Sequence, residues 1–87
     1  MKERLRNLGP KSAEMLERAG IATTTQLREL GAARAFVEVK RCGAAPSLNL
    51  LWALEGALSD RSWQDIAKSE RLSLLFQVEN EEKGHAF

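Results

Sequence analysis

The chain has 87 residues, of which 44% are apolar, and its 13 Lys and Arg residues against 12 Asp and Glu give a formal net charge of +1. This length fits one small domain, and the apolar fraction is high enough to close a core, which excludes a disordered or low-complexity chain. The near-neutral charge excludes a strongly basic, histone-like binder of nucleic acid and a strongly acidic tail protein.

The residues that catalysis and metal binding require are scarce. The chain has one cysteine, Cys42, and one histidine, His85, which is the third residue from the end. A zinc site takes about four ligands, and a Cys–His nucleophile pair would have to join Cys42 to a chain terminus. No Gly-rich phosphate loop is present. We therefore expect no catalytic residue, no metal and no cofactor, and the single cysteine favours a reducing, cytoplasmic location.

Targeting and membrane-spanning signals are also absent from the sequence. Residues 1–6 are charged throughout and no apolar segment of a signal peptide follows them. The longest apolar stretch, residues 48–58, is interrupted by Asn49, Glu55 and Gly56 and is too short to span a bilayer. We expect no membrane partner.

Residue usage and the placement of glycine and proline predict an all-α fold. Ala, Leu, Glu, Arg and Lys dominate, β-branched residues rarely cluster, and Gly and Pro divide the chain into short segments. We expect a single small domain of five to six short helices over residues 1–82, with a helix-hairpin-helix or SAM-like start, and a flexible tail over 83–87. The predicted helices cover residues 2–7, 11–19, 24–30, 32–41, 48–59 and 68–80.

Two capping signals separate the second and third predicted helices. Gly20 stands where a helix places its left-handed terminal residue, and Ile21 follows as the apolar residue that packs back under such a cap. Thr23 and Gln26 have the spacing of a capping box, with Thr24 as a competing N-cap. We therefore expect a sharp break between these helices.

The second half of the chain is expected to hold the central helix. Residues 43–46 form the clearest loop, and Ser47 is placed to cap the strongly apolar helix that follows. Ser62 and Asp65 again have capping-box spacing. The apolar residues of the last predicted helix are Leu72, Leu75, Phe76 and Val78.

The segment at residues 5–13 resembles a helix-hairpin-helix motif, in which a tight turn joins two helices. Gly9 is expected to allow a close approach of the backbone, and Asn7 stands in place of the motif's first glycine. The N–H groups that open the next helix, around Lys11, have no acceptor within the helix and lie at its positive dipole end, which suits a phosphate. The alternative is that Gly9 and Pro10 only end one helix and begin another.

Basic residues extend this turn into a candidate site for nucleic-acid backbone. Residues 1–41 hold nine basic and five acidic residues, whereas 42–87 hold four and seven. The arginines of the first half could continue the cation of Lys11 into a basic stripe, or they could form a solvated face. Phosphate contacts position a protein without reading base sequence, so we expect weak, non-specific binding. The candidate nucleic-acid-binding residues are Arg6, Gly9, Lys11, Ser12, Arg34 and Arg41.

A second stretch carries a family resemblance. Residues 47–58, Ser-Leu-Asn-Leu-Leu-Trp-Ala-Leu-Glu-Gly-Ala-Leu, followed by Trp-Gln-Asp-Ile at 63–66, resemble the signature of the C-terminal domain of the TfoX/Sxy family. Residues 5–21 and 24–32 resemble the same domain in the same order, so the similarity covers about residues 3–79.

This resemblance implies a small all-α domain of cytoplasmic bacterial proteins, with no catalytic residues to carry over. The family's namesakes are positive regulators of natural transformation that act on the transcription of competence genes, and they carry a separate α/β domain ahead of this one. We expect that domain to be absent here, because the match begins within a few residues of Met1.

Two hypotheses from different classes follow. The first is a non-enzymatic regulatory module, acting in competence or transcription regulation, with weak contact to nucleic-acid backbone. The second is a protein-interaction module without DNA binding, which docks through exposed parts of the helices that carry Trp52 and Trp63, although both residues could instead be core. We expect a protein partner, and a chain that is a monomer or a weak homodimer.

Overall fold

Residues 8–83 are described by a computed structural model, and this part of the chain forms six α-helices and no strand. The all-α fold expected from the sequence is confirmed. The helix predicted over 2–7 lies outside the described residues, as does the predicted tail apart from Lys83. The helices are α1 (Pro10–Arg18), α2 (Thr24–Leu30), α3 (Ala32–Arg41), α4 (Leu48–Ser59), α5 (Trp63–Ser69) and α6 (Arg71–Glu82).

The end of α1 is closed as the sequence predicts. Gly20 has φ +84°, and its N–H donates to the carbonyl of Glu17 at 3.0 Å. The N–H of Ile21 donates to the carbonyl of Leu16 at 2.9 Å, and both of these apolar side chains are buried in the core. This double closure is the Schellman arrangement, and it turns the chain sharply toward α2.

Local signals also set both ends of α2. The Thr23 hydroxyl accepts the N–H of Gln26 at 3.1 Å, and the Gln26 side chain accepts the N–H of Thr23 at 3.1 Å, which completes the predicted capping box. Gly31, at φ +82°, ends α2 and begins α3. A single residue therefore separates the two helices, and only glycine adopts such a conformation readily.

The core lies between α3 and α4, which pack against each other. Both helices are mostly buried, and their largest core side chains include Phe36 and Val39 on α3 and Leu51, Trp52 and Leu54 on α4. α6 packs against α3, and α5 packs against α4. The expectation that the apolar helix after Ser47 is central is confirmed, and Trp52 is core.

The last predicted helix is wrong in its start. The structure breaks the chain at Glu70, so Lys68 belongs to α5, and α6 begins at Arg71. The Ser69 hydroxyl donates to the carbonyl of Asp65 at 2.8 Å and accepts a hydrogen bond from Arg61 at 2.7 Å. A serine hydroxyl that binds the carbonyl four residues earlier competes with the helical backbone, and here α5 stops.

α6 buries only part of its apolar residues. Leu74 and Val78 face the core, whereas Leu72 and Phe76 are exposed. α6 therefore carries apolar side chains on two faces, and one of them is left in solvent. Among residues 8–83, no helix has the length and apolarity that crossing a bilayer requires.

Candidate binding groove between α1 and α4

Among the described residues, the start of α1 has no side-chain cap, so its first N–H groups are open to a ligand. Gly9 precedes the helix with an extended backbone, φ −92° and ψ −177°, and has no side chain to cap it. Pro10 has no N–H, and the first helical hydrogen bond runs from the N–H of Ala13 to the carbonyl of Gly9 at 3.0 Å. The N–H groups of Lys11 and Ser12 therefore have no acceptor within the helix, at the end where the helix dipole is positive.

The start of α4 is open in the same way. Ser47 occupies the N-cap position with φ −84° and ψ 166°, but its hydroxyl accepts no hydrogen bond from the first turn. The prediction that the Ser47 side chain caps this helix is wrong, although the helix does begin after it. The Ser47 carbonyl accepts the N–H of Leu50 at 3.0 Å, which leaves the N–H groups of Leu48 and Asn49 without an acceptor in the helix.

These two helix starts line one groove of about 680 Å³. Trp63, at the start of α5, contributes a side chain that is 39% exposed, and the loop before α4 contributes Pro46. The groove thus combines polar backbone ends with apolar surface. Its lining residues are Lys11, Ser12, Glu14, Met15, Arg18, Ala45, Pro46, Ser47, Asn49, Leu50, Ala53 and Trp63.

The charge of the groove is positive on balance. Lys11 is exposed and makes no ion pair within the described residues. Arg18 and Glu14 are paired at 3.0 Å, so they largely neutralise each other. An anionic group that enters the groove would therefore meet Lys11 and two positive helix ends, with the only carboxylate of the lining already paired.

The structure separates the other predicted site residues from this groove. Arg34 is exposed on α3, and Arg41 ends the same helix, where it bonds Glu38 at 3.0 Å and the carbonyl of Glu81 at 3.3 Å. Arg6 lies outside the described residues. Of the predicted site residues that the structure describes, Gly9, Lys11 and Ser12 lie together at the start of α1.

Gly9 itself does not have the close contact that the motif suggested. Its φ is negative, and a Cβ atom added to it would meet no described atom within 4 Å. The helix-hairpin-helix resemblance stays a prediction, because its first helix lies outside the described residues.

Sequence reasoning missed the α4 side of the groove. Asn49 interrupts a run of leucines, and that irregularity was the available signal, since a polar residue in an apolar helix has a reason to reach the surface. Trp63 was weighed as core or docking residue, and its partial exposure in the groove favours the second. Among the described residues, no group of His, Cys, Asp or Glu side chains could hold a metal ion.

The comparison with known families identifies the domain. The model of the TfoX C-terminal domain matches residues 2–78. The chain belongs to the TfoX C-terminal domain family. The expectation drawn from the stretches at 47–58 and 63–66 is confirmed.

The chain is also similar to one characterised protein in sequence and to one crystal structure in fold. The chain is 37% identical over 71 residues to the DNA transformation protein TfoX of Haemophilus influenzae, a match that takes in 82% of this chain and 33% of that protein. The chain therefore spans about a third of the length of this relative. A crystal structure of a protein of unknown function from Listeria monocytogenes has the same fold, with a TM-score of 0.77 and 26% identity over 88% of this chain and 95% of that one.

Proposed function

We propose that this TfoX C-terminal domain is a regulatory module of DNA transformation that acts by binding rather than catalysis, and that it contacts nucleic-acid backbone through the groove between α1 and α4. The family match and the name of the Haemophilus influenzae relative support the role in transformation. The supporting observation for the ligand is the convergence of two open helix starts and Lys11 on one groove.

The start of a helix is a favourable site for a phosphate. Backbone N–H groups at a helix start point at an anion without any cost of ordering a side chain, and the helix dipole adds to their attraction. Lys11 and Ser12 supply a cation and a hydroxyl at the first of these starts, and Asn49 lies at the second. Two adjacent phosphates of one strand could each take one helix start.

The exposed ring of Trp63 favours an unpaired strand over a duplex. Bases of a single strand stack on exposed aromatic rings, at a gain of about 1–3 kcal/mol per base. Trp63 lies in the groove with Lys11, so a strand whose phosphates meet the helix starts could place a base on the ring. A duplex keeps its bases stacked inside and could use only the charged rim.

Binding to labelled oligonucleotides across a salt series tests this proposal. With roughly 2–4 phosphate contacts, log affinity should fall against log salt with a slope of about −1.4 to −2.8 for a single strand. Lys11→Gln should weaken binding and reduce the slope by about 0.7. Lys68→Gln removes the same charge from exposed α5 surface and is the matched control.

The binding experiment has three distinguishable outcomes. Salt-sensitive binding that Lys11→Gln weakens and Lys68→Gln leaves unchanged supports the groove as the site. Equal effects of the two substitutions would show that only overall charge matters. An absence of binding at low salt, to single strand and duplex alike, would overturn the proposal for nucleic acid.

The second candidate function is a protein-interaction module, and the observation that favours it is the apolar side of the same groove. Met15, Leu50, Ala53 and Trp63 provide a surface on which an apolar side chain of a partner could rest. Trp63→Ala should then abolish binding to a partner protein, while Lys11→Gln should have a small effect. On an oligonucleotide both substitutions should weaken binding, and a salt dependence that Lys11→Gln reduces supports the first function.

A further inference from the structure

α5 is the short helix that brings Trp63 to the α1–α4 groove. Trp63 is the first residue of α5 and lines the groove, whereas Ile66, three residues later, is fully buried against the core. Within the described residues of α5, Ile66 is the one that is buried, and the small Ala67 packs against the core in part. A helix with so few buried apolar contacts belongs to the less stable part of a fold, so its orientation depends on further contacts.

The side chain of Arg61 supplies such contacts along α5. Arg61 precedes the N-cap of α5, and its Nη2 group donates to the hydroxyl of Ser69, in the last turn of the helix, at 2.7 Å. Its Nη1 group donates to the carboxylate of Glu70, the residue after the helix, at 3.4 Å, and its Nε atom lies 4.0 Å from the carboxylate of Asp65. Arg61 therefore joins the residue before α5 to its last turn and to the residue after it.

The position of these contacts restricts rotation of α5. Asp65 and Ser69 are four residues apart and lie on one face of the helix, so a side chain bonded along that face opposes a turn about the helix axis. The backbone N–H of Arg61 donates to the carbonyl of Gly56 on α4 at 2.9 Å, so Arg61 is itself held by the neighbouring helix. Glu70 is also the N-cap residue of α6, which extends the connection to the next helix.

We propose that Arg61 is a positioning residue for binding in the α1–α4 groove, because its contacts along α5 fix the rotation of that helix and hold the Trp63 ring in the groove. Arg61 lies outside the described lining of the groove, so it acts through Trp63 and not on the ligand. This inference deepens the proposed function and rests on it for the nature of the ligand. The placement of Trp63 by Arg61 is measurable without any ligand.

The chemistry of the side chain distinguishes positioning from attraction of phosphate by charge. A guanidinium presents its N–H donors in a rigid fork and can bond a hydroxyl and a carboxylate at once, whereas an ammonium is a compact point charge. Arg61→Lys keeps the charge and loses the fork, and Arg61→Met keeps an apolar stem and loses both. If Arg61 positions α5, lysine should replace it poorly. If Arg61 attracted phosphate only by its charge, lysine would replace it well.

Acrylamide quenching of tryptophan fluorescence, without nucleic acid, measures the placement of Trp63. The chain has two tryptophans, and Trp52 is 3% exposed, so quenching reports mainly on Trp63. Arg61→Met should raise the quenching constant, and Arg61→Lys should raise it nearly as much. Lys68→Gln removes a positive charge from the same helix and should leave it unchanged. Equal quenching of the wild type and Arg61→Met would overturn the proposal, whatever the groove binds.

Ser69→Ala tests the same contact from its other end and covers the case that Arg61→Met does not fold. This variant removes the hydroxyl that accepts the shortest hydrogen bond of the Arg61 side chain and leaves the arginine in place. Its far-UV circular dichroism should match that of the wild type, while its quenching constant should rise by less than that of Arg61→Met. A folded Ser69→Ala variant that is quenched like the wild type would overturn the proposal.

A double-mutant cycle on single-strand binding shows whether Arg61 acts through Trp63. Trp63→Ala should weaken binding about fivefold or more, because the stacked base loses its ring. Arg61→Met should weaken binding about threefold without changing the salt slope, and it should have no further effect in the Trp63→Ala background. Additive losses, with the slope reduced by about 0.7, would show that Arg61 contacts phosphate itself and would overturn the positioning role.

Failure of this proposal is distinguishable from failure of the proposed function. A wild type that binds no oligonucleotide at low salt would overturn binding of nucleic acid, and the quenching of Arg61→Met would still decide whether Arg61 places Trp63. A wild type that binds, together with unchanged quenching in Arg61→Met, would keep the proposed function and overturn the role of Arg61.

Discussion

Lys40, in the last turn of α3, donates a hydrogen bond to the carboxylate of Glu82, in the last turn of α6. Beside it, the guanidinium of Arg41 donates to Glu38 and to the backbone carbonyl of Glu81. The basic C-terminal end of α3 is therefore hydrogen-bonded to the C-terminal end of α6. We expect Arg41 to stabilise this contact between α3 and α6 and not to bind a ligand.

Arg41→Gln should lower the free energy of unfolding by about 0.5 kcal/mol, because the contacts that it removes are half exposed and such pairs contribute little. Urea denaturation measures this change. The same substitution should reduce the affinity for an oligonucleotide less than Lys11→Gln does. Arg28→Gln, which removes an exposed arginine from α2, is the control for charge alone. A larger loss of oligonucleotide affinity for Arg41→Gln than for Lys11→Gln would show that Arg41 belongs to the nucleic-acid-binding site.

The capping box of α2 should be a measurable source of stability. Thr23→Ala removes the hydroxyl that accepts the N–H of Gln26 and should cost about 1 kcal/mol. Thr23→Ser keeps the oxygen and should retain most of that stability. Thr25→Ala, at an exposed helical position two residues later, is the matched control and should be neutral or slightly stabilising. If Thr23→Ala and Thr25→Ala gave the same urea midpoint, the box would contribute nothing.

Two glycines near α1 should differ sharply in their tolerance of a side chain. Gly20 has φ +84°, so Gly20→Ala should destabilise by about 1–2 kcal/mol. Gly9 is the N-cap of α1, with an extended backbone and no described atom near its Cβ position, so Gly9→Ala should cost only the N-cap preference of glycine over alanine, about 0.5 kcal/mol. Thermal or urea unfolding of the two variants gives the comparison. A large loss of stability for Gly9→Ala would support the close backbone approach expected of a helix-hairpin-helix turn.

One carboxyl group gives the domain a specific pH dependence. Partial burial, and secondly the charge of Glu70, raise the pKa of Glu55 above its ordinary value of 4.5, while Arg61 opposes this rise. Glu55 therefore holds its proton more tightly in the folded chain than in the unfolded chain. Its contribution to stability is fully present below about pH 4.5 and declines as the pH rises through the raised pKa.

Glu55→Gln keeps the shape of this side chain and removes its charge. The variant should be more stable than the wild type at neutral pH, and the difference should vanish below the ordinary pKa of a glutamate. Urea unfolding of both proteins between acidic and neutral pH measures this. A wild type that is the more stable of the two at neutral pH would mean that the ionised Glu55 is stabilised by Arg61 rather than opposed by burial.

Much of the helical frame was predictable because its signals are local. The closure at Gly20 and Ile21 and the box at Thr23 and Gln26 depend on residues a few positions apart, so the chain shows them directly. The break at Glu70 instead follows Ser69, which accepts a hydrogen bond from Arg61, eight residues earlier and outside α5. No pattern within a single helix indicates such a contact.

The candidate site was predictable only in its first half. Lys11 and Ser12 stand at a helix start that proline and glycine mark in the sequence, whereas Asn49 and Trp63 join them only through the packing of α1, α4 and α5. The exposed face of α6 was unpredictable for the same reason. Leu72 and Phe76 look like core residues until the neighbouring helices show that Leu74 and Val78 fill that place.

Backbone amide shifts would report whether nucleic-acid backbone binds in the groove between α1 and α4. Titration of the nitrogen-15-labelled chain with a short single-stranded oligonucleotide at low salt should shift the N–H signals of Lys11, Ser12, Leu48 and Asn49 most strongly, together with the indole N–H of Trp63. The same signals should return toward their free positions as salt is added. Shifts concentrated on other helices, or no shifts at low salt, would show that this groove does not bind nucleic-acid backbone.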